Sequence, residues 1–397
     1  MKGYDKMKDI RLGIIGVGNM GSIHAKNVTE GKVPGMVLGG LCDISDEREN
    51  FCKEKYPDVA FFKDYKDMLK SGKIDMVIVA VPHYSHPQIA IDAFAANLHV
   101  ITEKPAGVYT KQVIEMIEAS KKTDKLFGIM YNQRTNTLYQ KLRKMIQDGQ
   151  LGGLKRVSWI ITDWYRPQSY HDSSAWRSTW ADEGGGTLIN QNPHQLDLWQ
   201  WMFGMPDKIM SHVSFGKYYN IEVEDDVTAF MQYDNGLTGT YITSTGEAPG
   251  TNRLEVNGDM GKIVIEKDPV TYKETMTFHR NVVSEREFNK TNTAPFGAPE
   301  CWKCEIPIFQ TGEQHVGILK NFVSAINNGT PLLAPGEDGI YGLTISNAIH
   351  YSAWTNGWAD VKNFPHDEFY ELLNERIKTS KKKTNVTAKV ANLDGTY

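Results

Sequence analysis

Apolar and polar positions divide the chain into two halves with different periodicity. In residues 10–131, short apolar runs alternate with segments of helical spacing such as His86–Ala96 and Lys111–Lys122. The strand-like runs are Ile10–Ile15, Met36–Cys42, Ala60–Phe62, Ile74–Val81, Leu98–Thr102 and Leu126–Tyr131. The stretch Met76–Val81 is apolar at every position, which is typical of a strand buried on both faces. This alternation predicts an α/β domain, a doubly wound parallel sheet with helices on both faces.

The second half has a different pattern, which begins after a predicted helix at Thr137–Gln147. Its strand-like runs alternate between apolar and polar positions and lie at Leu154–Trp164, Val227–Tyr233, Leu237–Ser244, Leu254–Val256 and Lys262–Glu266. Asn235-Gly236 and Asn257-Gly258 each separate two of these runs, and Asn-Gly supplies the positive φ angles of a tight hairpin turn. Helical spacing returns at Gly186–Phe203, Gln314–Asn327 and Gly339–Thr355. These patterns predict an α+β domain built on a largely antiparallel open sheet.

We therefore predict a first domain at residues 1–132, a second at 133–380 and a tail at 381–397. The tail begins with Lys381-Lys382-Lys383 and is polar and weakly patterned, as expected of a solvated terminus; a basic docking arm is the alternative. An antiparallel sheet often leaves one face uncovered. The sheet of the second domain is therefore a candidate subunit interface, which predicts a homodimer or homotetramer.

Composition excludes several classes of protein. The chain has 397 residues, 40% of them apolar, and a net charge of −4. These values are typical of a soluble globular protein and provide no strong field toward nucleic acid or an anionic membrane. No run approaches the roughly 18 apolar residues that span a bilayer, and the charged N-terminus is a poor signal peptide. Four cysteines do not make a disulfide framework in a chain of this length, so we expect a cytoplasmic protein.

A glycine-rich motif directly follows the first predicted strand. Residues 16–21 read Gly-Val-Gly-Asn-Met-Gly, which is the spacing G-x-G-x-x-G. In this pattern Gly16 permits a tight turn, Gly18 lets a pyrophosphate approach the backbone, and Gly21 lets helix and strand pack closely. The position between a strand and a helix predicts a dinucleotide site that involves Gly16, Gly18, Asn19, Met20 and Gly21.

Asp43 follows the second predicted strand, about 20 positions after the glycine motif. An acidic side chain there accepts hydrogen bonds from the adenosine ribose hydroxyls and repels a 2′-phosphate. We therefore predict NAD as the cofactor, with NADP less favoured, although Arg48 lies nearby in the sequence. The alternative for Asp43 is a turn or helix-capping aspartate ahead of Ile44-Ser45-Asp46.

Lys104 follows another predicted strand, in Thr102-Glu103-Lys104-Pro105. Ligands of doubly wound sheets bind outside the carboxyl ends of the strands. A lysine there, beside a positively charged nicotinamide and partly desolvated, is expected to have a lowered pKa and to polarise a substrate hydroxyl or carry a proton. The alternative is a solvated surface lysine.

Several motifs together resemble one family of oxidoreductases. They are Gly16–Gly21, Val81-Pro82 with His86, Glu103-Lys104-Pro105, and Gly184-Gly185-Gly186 followed by His194 and Asp197. In this order they resemble the glucose–fructose oxidoreductase/inositol dehydrogenase/rhizopine catabolism family along nearly the whole chain. The resemblance implies an N-terminal Rossmann domain and a C-terminal α/β domain whose open sheet mediates dimers or tetramers. It also implies hydride transfer between a nicotinamide and a carbon of a small-molecule sugar, cyclitol or glycoside.

The resemblance assigns catalytic roles to three residues. The lysine of the family's E-K-P motif is here Lys104, and the histidine that follows the glycine run is here His194. The family's aspartate one turn before that histidine is replaced by Asn190, which can hydrogen-bond a substrate but cannot act as a base. Spacing i, i+4 would place Asn190 and His194 on one helix face, although Pro193 can distort the turn. The alternative for His194 is an ordinary buried helix histidine.

The same resemblance implies further contacts with cofactor and substrate. Val81, Pro82, His86, Glu103 and Asn132 would line the cofactor path, with Asn132 at the nicotinamide end. A segment rich in aromatic residues and arginines precedes the predicted catalytic helix and includes Tyr165, Arg166, Trp176 and Arg177. Aromatic faces stack on sugar rings and arginines bond hydroxyls or carboxylates, which favours a substrate loop. The alternative is that the tryptophans are core and the arginines solvated.

Cys301-Trp302-Lys303-Cys304 is a single C-x-x-C pair. A zinc site needs a second pair or histidines at ligand spacing, and a redox motif needs a thioredoxin-like context. We therefore predict no metal site.

Three functions fit these observations. The first is an NAD-dependent dehydrogenase of a secondary hydroxyl. The aromatic segment resembles a glycoside dehydrogenase branch of the family, and this resemblance implies oxidation at C3 of a glycoside. The second is an enzyme that retains NAD and uses transient oxidation to cleave a glycoside. The third is a non-catalytic NAD-binding protein. The catalytic residues of the first two overlap, so the sequence does not separate them.

Overall fold

The computed structural model describes residues 9–381, 383 and 386, which form two compact units. The first unit holds the residues up to Thr135 together with Gly312–Leu343, and the second holds Asn136–Thr311 and the described residues from Thr344 to Lys383. The prediction had placed all of residues 133–380 in one domain. Gly312–Leu343 instead returns to the first unit, where the backbone N–H of Ile129 donates to the carbonyl oxygen of Ala334.

Six parallel strands form the sheet of the first unit, in the order β3-β2-β1-β4-β5-β6. Their bounds are β1 (Ile10–Ile15), β2 (Met36–Cys42), β3 (Ala60–Phe62), β4 (Met76–Val79), β5 (His99–Thr102) and β6 (Phe127–Ile129). All four residues of β4 are fully buried. This confirms the doubly wound parallel sheet, and the reversal of strand order between β1 and β4 marks the edge where such folds bind ligands.

Five helices connect these strands. They are α1 (Asn19–Thr29), α2 (Asp46–Lys55), α3 (Tyr65–Lys70), α4 (His86–Ala95) and α5 (Thr110–Ser120). Short 3-10 turns follow β4 at His83–Ser85 and β6 at Asn132–Thr135. The two helices predicted at His86–Ala96 and Lys111–Lys122 are therefore confirmed to within two residues.

The sheet of the second unit has nine strands, in the order β14-β13-β12-β11-β7-β10-β9-β8-β15. Their bounds are β7 (Leu154–Ile161), β8 (Lys208–Phe215), β9 (Glu224–Gln232), β10 (Thr238–Ser244), β11 (Asn252–Gly258), β12 (Gly261–Lys267), β13 (Glu274–Asn281), β14 (Cys301–Ile306) and β15 (Ala359–Asp360). Only β7 and β10 pair in parallel. The predicted largely antiparallel open sheet is confirmed.

The two predicted hairpin turns had different outcomes. Asn235-Gly236 connects β9 to its antiparallel neighbour β10, and Gly236 has the expected positive φ of 88°. Asn257 and Gly258 instead lie inside β11, opposite Lys262 and Gly261. The hairpin between β11 and β12 exists, but its turn is the next pair of residues, because the strand pairing extends through Gly258.

The remaining helices are α6 (Thr137–Gln147), α7 (Gln168–His171), α8 (Thr187–Asn190), α9 (Pro193–Phe203), α10 (Glu285–Thr291), α11 (Gln314–Asn328), α12 (Gly339–Thr355) and α13 (His366–Thr379), with a 3-10 turn at Gly336–Asp338. The single helix predicted at Gly186–Phe203 is wrong. It is two helices, because Pro193 has no N–H to continue the first and instead starts the second. None of the helices in the described part of the chain has both the length and the apolar character needed to cross a bilayer.

Most of the predicted tail lies outside the described residues. Lys383, which is described, is not simply solvated: its Nζ donates to the carbonyl oxygen of His171 at 2.7 Å, and the side chain is partly buried. Directly before the predicted tail, Ser380 Oγ donates to Glu222 and accepts from the backbone N–H of Ala181. The end of α13 is therefore bound to the segment that precedes the glycine run.

Candidate functional site

The glycine motif forms the turn from β1 into α1. Gly16 has a φ of +90°, and a Cβ there would lie 2.4 Å from the carbonyl oxygen of Ala80. A Cβ at Gly21 would lie 1.9 Å from the carbonyl oxygen of Gly16, so neither position accepts a side chain. Gly18 precedes α1 directly, and a Cβ there would meet no described atom within 4 Å. The backbone at Gly18 is therefore open to a ligand, as the motif predicts.

Asp43 holds this loop in place. Its Oδ2 accepts a hydrogen bond from the backbone N–H of Val17 at 2.8 Å, and its Oδ1 accepts one from Ser45 at 2.9 Å. The carboxylate thus ties the glycine loop to the end of β2, which supports the turn role that the sequence left open. A carboxylate has about four acceptor positions. Asp43 therefore retains acceptor capacity for a ribose, a contact that stays a prediction.

The residues of the first unit fit a dinucleotide. The first turn of α1, with Asn19 and Met20, presents N–H groups and the positive end of the helix dipole beside the open backbone of Gly18. Asn132 is fully buried and its Nδ2 donates to Gln314 Oε1 at 3.0 Å, while its Oδ1 has no hydrogen-bond partner among the described residues. A buried acceptor without a partner is costly unless a ligand supplies one. Asn132 can therefore receive a donor such as a carboxamide N–H.

Three residues predicted to line the cofactor path lie between β4 and the start of α4. Val81 is half-buried and Pro82 exposed, whereas His86 is 1% exposed. The ring nitrogens of His86 lie 2.8 Å from the carbonyl oxygen of Pro105 and 2.7 Å from that of Val81. His86 therefore braces the loops that follow β4 and β5, and its contact with a cofactor remains a prediction.

Glu103 belongs to a buried cluster that the sequence analysis missed. Its Oε1 lies 2.7 Å from His24 Nε2, and both side chains are almost inaccessible. Burial opposes ionisation of Glu103, but the hydrogen bond and charge interaction with His24 outweigh it and lower the pKa of Glu103 to about 2. The ring of His315 lies 5.6 Å from that of His24, and burial lowers the pKa of His315 to about 4. The position of His24, one turn after the glycine motif, was the available signal.

Lys104 follows this anchored carboxylate at the end of β5. Its backbone N–H donates to Glu103 Oε2 at 3.2 Å, its side chain is half-buried, and the Lys104–Pro105 peptide bond is cis. The structure therefore places Lys104 at the carboxyl end of a parallel strand, as predicted. Its catalytic role stays a prediction.

In the second unit, the segment rich in aromatic residues and arginines forms a polar cluster around Tyr170. Tyr170 Oη accepts hydrogen bonds from Arg177 Nη1 at 2.7 Å and from Gln191 Nε2 at 3.1 Å. The Arg177 guanidinium lies 4.5 Å from the Tyr170 ring and 4.6 Å from the Trp176 ring, and that of Arg166 lies 5.2 Å from the Tyr170 ring. Arg166, Tyr170, Trp176 and Arg177 are all half-buried. The structure therefore brings together Arg166, Trp176 and Arg177, three of the four residues of this segment that were predicted to contact substrate.

The other aromatic residues of this segment divide between surface and core. Tyr165 is 46% exposed and contributes only its carbonyl oxygen to Arg166. Trp180 is 5% exposed, and its Nε1 donates to the carbonyl oxygen of Glu222 at 2.8 Å. Trp180 is therefore a core residue. Trp176 borders the polar cluster, and its contact with substrate stays a prediction.

The glycine run before α8 lets the chain approach a buried carboxylate. A Cβ at Gly186 would lie 2.1 Å from the carbonyl oxygen of Glu224. The side chain of Glu224 accepts hydrogen bonds from the N–H groups of Gly186 and Leu188, both at 2.9 Å, and lies 3.0 Å from His350 Nε2. The carboxylate thereby caps the start of α8.

Asn190 and His194 do not lie on one continuous helix. Asn190 is the last residue of α8, whereas His194 lies in the first turn of α9 and is 5% exposed. The predicted shared helix face is therefore wrong, because the chain starts a new helix at Pro193. The Nδ2 of Asn190 donates to Glu183 Oε1, and Glu183 is a second residue that the sequence analysis missed. Its place directly before the glycine run was the available signal.

Cys301 and Cys304 lie on β14, and both are free thiols. Residues three apart on a strand point to opposite faces, so the pair does not form a chelate. Within residues 9–381, 383 and 386, no group of three His, Cys, Asp or Glu side chains is arranged to hold a metal ion.

The strand order and the open glycine loop define a dinucleotide-binding protein. Comparison with protein families gives the same result: residues 10–131 match an oxidoreductase family with an NAD-binding Rossmann fold, and residues 139–264 match the GFO/IDH/MocA C-terminal domain. The two matches together cover well over half of the chain. The chain belongs to the GFO/IDH/MocA family of NAD-binding oxidoreductases, which confirms the resemblance inferred from the motifs.

Two curated relatives are similar over most of their length. The chain is 23% identical to myo-inositol 2-dehydrogenase of Thermotoga maritima, over 86% of this chain and 96% of that protein. It is also 23% identical to levoglucosan dehydrogenase of Pseudarthrobacter phenanthrenivorans, over 89% of this chain and 99% of that protein.

Solved structures share the fold at low sequence identity. The WlbA dehydrogenase from Bordetella pertussis, in complex with NADH and UDP-GlcNAcA, aligns with a TM-score of 0.75 and 22% identity, over 88% of this chain and 97% of that one. A levoglucosan dehydrogenase in complex with NADH and levoglucosan aligns with a TM-score of 0.73 and 20% identity, over 89% of this chain and all of that one.

Gly18→Ala and Gly21→Ala are expected to separate cofactor binding from folding. Gly18 has φ −72° and open space at its Cβ, so alanine should leave the melting temperature within about 2 °C of wild type. The new methyl group should weaken NAD binding by about tenfold or more, measured by calorimetry, because it occupies the approach to the backbone. Gly21→Ala should lower both the melting temperature and the affinity. Full NAD affinity in Gly18→Ala would contradict this assignment of the loop.

His24→Phe should destabilise the first unit by about 3–5 kcal/mol, since Glu103 would remain buried without its partner. Because the pKa of Glu103 lies near 2 rather than 4.5, the pair stabilises the fold above pH 4.5, and that contribution is lost as the pH falls toward 2. The gap between the urea midpoints of wild type and variant should therefore narrow below pH 4.5. Glu103→Gln, whose amide oxygen still accepts from His24, is the milder control. Equal midpoints for His24→Phe and wild type would exclude the pair as a stabilising contact.

Proposed function

We propose that this protein is an NAD-dependent dehydrogenase that acts on a secondary hydroxyl of a sugar, cyclitol or glycoside. Membership of the NAD-binding family, together with the open backbone at Gly18, is the observation that carries the proposal. Relatives named myo-inositol 2-dehydrogenase and levoglucosan dehydrogenase support the substrate class. Oxidation at C3 of a glycoside is the finer form of this proposal.

Lys104 and His194 are the proposed catalytic residues. NAD supplies a hydride acceptor for the carbinol carbon. The Lys104 ammonium donates a hydrogen bond to the substrate hydroxyl oxygen and stabilises negative charge that develops there. An imidazole nitrogen of His194 takes the hydroxyl proton as general base, and the residue returns that proton to solvent after the ketone forms. Asn190 hydrogen-bonds a substrate hydroxyl and cannot take up the proton.

The cluster around Tyr170 is the proposed substrate-binding surface of the second unit. Trp176 offers an aromatic face of the kind that stacks on the C–H face of a sugar ring. Arg166 and Arg177 offer several N–H donors for hydroxyls or carboxylates. Among the described residues, the buried Nε atoms of Arg166 and Arg177 have no hydrogen-bond partner.

Assembly and location remain expectations from the sequence. The nine-stranded sheet has exposed apolar side chains at Met210 and Phe230, which fits a subunit interface. We propose a homodimer or homotetramer through this sheet in a cytoplasmic enzyme, and native mass spectrometry tests the stoichiometry.

Lys104→Ala and His194→Ala should each lower kcat by about 10²–10⁴-fold, because each removes a group that contacts the reacting hydroxyl. The measurement is NADH formation with a sugar that the wild type oxidises. Lys122→Ala is a matched control for the lysine, since its side chain is exposed and lies outside the predicted site. Full turnover in Lys104→Ala would refute the proposed role of the lysine.

A panel of neutral and carboxylate-bearing sugars, cyclitols and glycosides should distinguish the three functions. Accumulation of NADH with at least one substrate, measured by absorbance, is the result expected of the dehydrogenase. Release of a cleaved product without net NADH would indicate the enzyme that retains NAD. NAD binding without turnover of any substrate would favour the non-catalytic protein and would overturn the proposal.

A further inference from the structure

Glu183 lies between two parts of the proposed substrate-binding surface. It is 2% exposed. Its Oε2 accepts a hydrogen bond from the backbone N–H of Ser178 at 2.5 Å, and its Oε1 accepts one from Asn190 Nδ2. Ser178 directly follows Arg177, and Asn190 ends α8. One buried carboxylate therefore connects the arginine segment to residue 190.

The chemistry of these contacts fixes the orientation of the Asn190 side-chain amide. An ionised carboxylate only accepts hydrogen bonds, so the Asn190 amide must turn its NH₂ group toward Glu183. The carbonyl oxygen of the same amide then faces away from Glu183. Ionised Glu183 thus decides which end of the Asn190 amide is available for other contacts.

We propose that Glu183 is a positioning residue of the dehydrogenase reaction, which acts by fixing the orientation of the Asn190 amide and the backbone beside Arg177. This inference rests on the proposed function. The family's aspartate would carry a negative charge at position 190, where this chain has Asn190. In this proposal that charge is carried by Glu183, a buried side chain seven residues earlier in the chain.

The backbone conformation at Ser178 is a further observation that supports this role. Ser178 has a φ of +58°, a conformation that a residue with a side chain adopts only where the surroundings hold it. Two contacts hold it here: its N–H donates to Glu183, and its Oγ lies 2.7 Å from His171 Nδ1. The loop that carries Arg177 is thus shaped by the same carboxylate that orients Asn190.

Burial of Glu183, modified by the charges around it, brings its pKa near neutral pH. Burial raises the pKa of Glu183 to about 7, although Arg177 and the donors Ser178 and Asn190 oppose that rise. Glu224, which lies beside His350, contributes to the rise, and Lys383 is the further cation that interacts with Glu183. As the pH falls below 7, Glu183 becomes protonated and can donate to the Asn190 carbonyl oxygen, which releases the fixed orientation.

Glu183→Gln should reverse the Asn190 amide. The glutamine oxygen accepts from Ser178, so its NH₂ group faces Asn190, which must then turn its carbonyl oxygen inward. We expect kcat to fall about 10- to 100-fold, as for the loss of a hydrogen bond to a charged group, with NAD affinity unchanged. In wild type, part of the fall in kcat below pH 7 should come from protonation of Glu183. This part of the fall should be absent in Glu183→Gln. Asp182→Asn is the matched control, because this neighbouring acid is exposed, and it should retain wild-type kinetics.

The double variant Glu183→Gln/Asn190→Asp distinguishes positioning from a purely structural role. Its glutamine NH₂ can donate to the new aspartate while its oxygen still accepts from Ser178, so every partner is satisfied and the single negative charge moves to position 190. We expect it to recover at least half of the lost activity on a logarithmic scale. Asn190→Asp alone places two carboxylates in contact and should lower the melting temperature. No recovery in the double variant would count against the proposal.

A measurement without substrate keeps this inference separate from the proposed function. In protein with ¹⁵N-labelled asparagine, the Asn190 side-chain resonance is assigned by its absence in Asn190→Asp. It should shift with an apparent pKa near 7 in wild type and show no such titration in Glu183→Gln. A resonance that does not titrate in wild type, or unchanged kinetics in Glu183→Gln, would overturn the proposal. Absence of sugar oxidation by wild type would instead remove the proposed function.

Discussion

Carboxylates that accept hydrogen bonds from backbone N–H groups hold the loops of both units. Asp43 accepts from Val17 and so fixes the glycine loop. Glu224 accepts from two N–H groups at the start of α8, and Glu183 accepts from Ser178. A buried N–H without an acceptor costs free energy comparable to a lost hydrogen bond. Each of these loops therefore depends on one acidic side chain for its shape.

The acidic residues differ in how their charge is balanced. This difference distinguishes carboxylates that stay ionised from one that can change its protonation state. Glu103 lies against His24, and its pKa is lowered to about 2, so it stays ionised throughout the physiological range. Glu183 has only partial compensation, and its pKa is raised to about 7. A carboxyl group with a pKa near the working pH can change its hydrogen-bond direction during use, whereas a permanently ionised one cannot. A change in protonation of a buried carboxylate near neutral pH is therefore expected at Glu183, in the second unit.

Local pattern predicted the elements that have a continuous apolar run or a clear apolar periodicity. The six strands of the first sheet and the helix at Thr137–Gln147 follow directly from apolar spacing. The edge strand Cys301–Ile306 was missed because its side chains are mostly exposed and carry no alternating apolar pattern. The helix His366–Thr379 was missed although Phe369 and Leu373, at i, i+4 spacing, form its buried face. Edge and terminal elements bury few residues, so their pattern is weak.

The sequence by itself determined the cofactor loop and the two fold classes, because glycine spacing and strand periodicity are local properties of the chain. The family was inferred from the resemblance of several motifs, and the family comparison confirmed it. Tertiary structure decided the partners of the buried charges. His24 meets Glu103, and Glu183 meets Asn190, only after distant backbone segments or a folded loop bring them together. Tertiary contacts also determine that Gly312–Leu343 belongs to the first unit. Long-range contacts follow from the packing of whole elements, and no short motif encodes them.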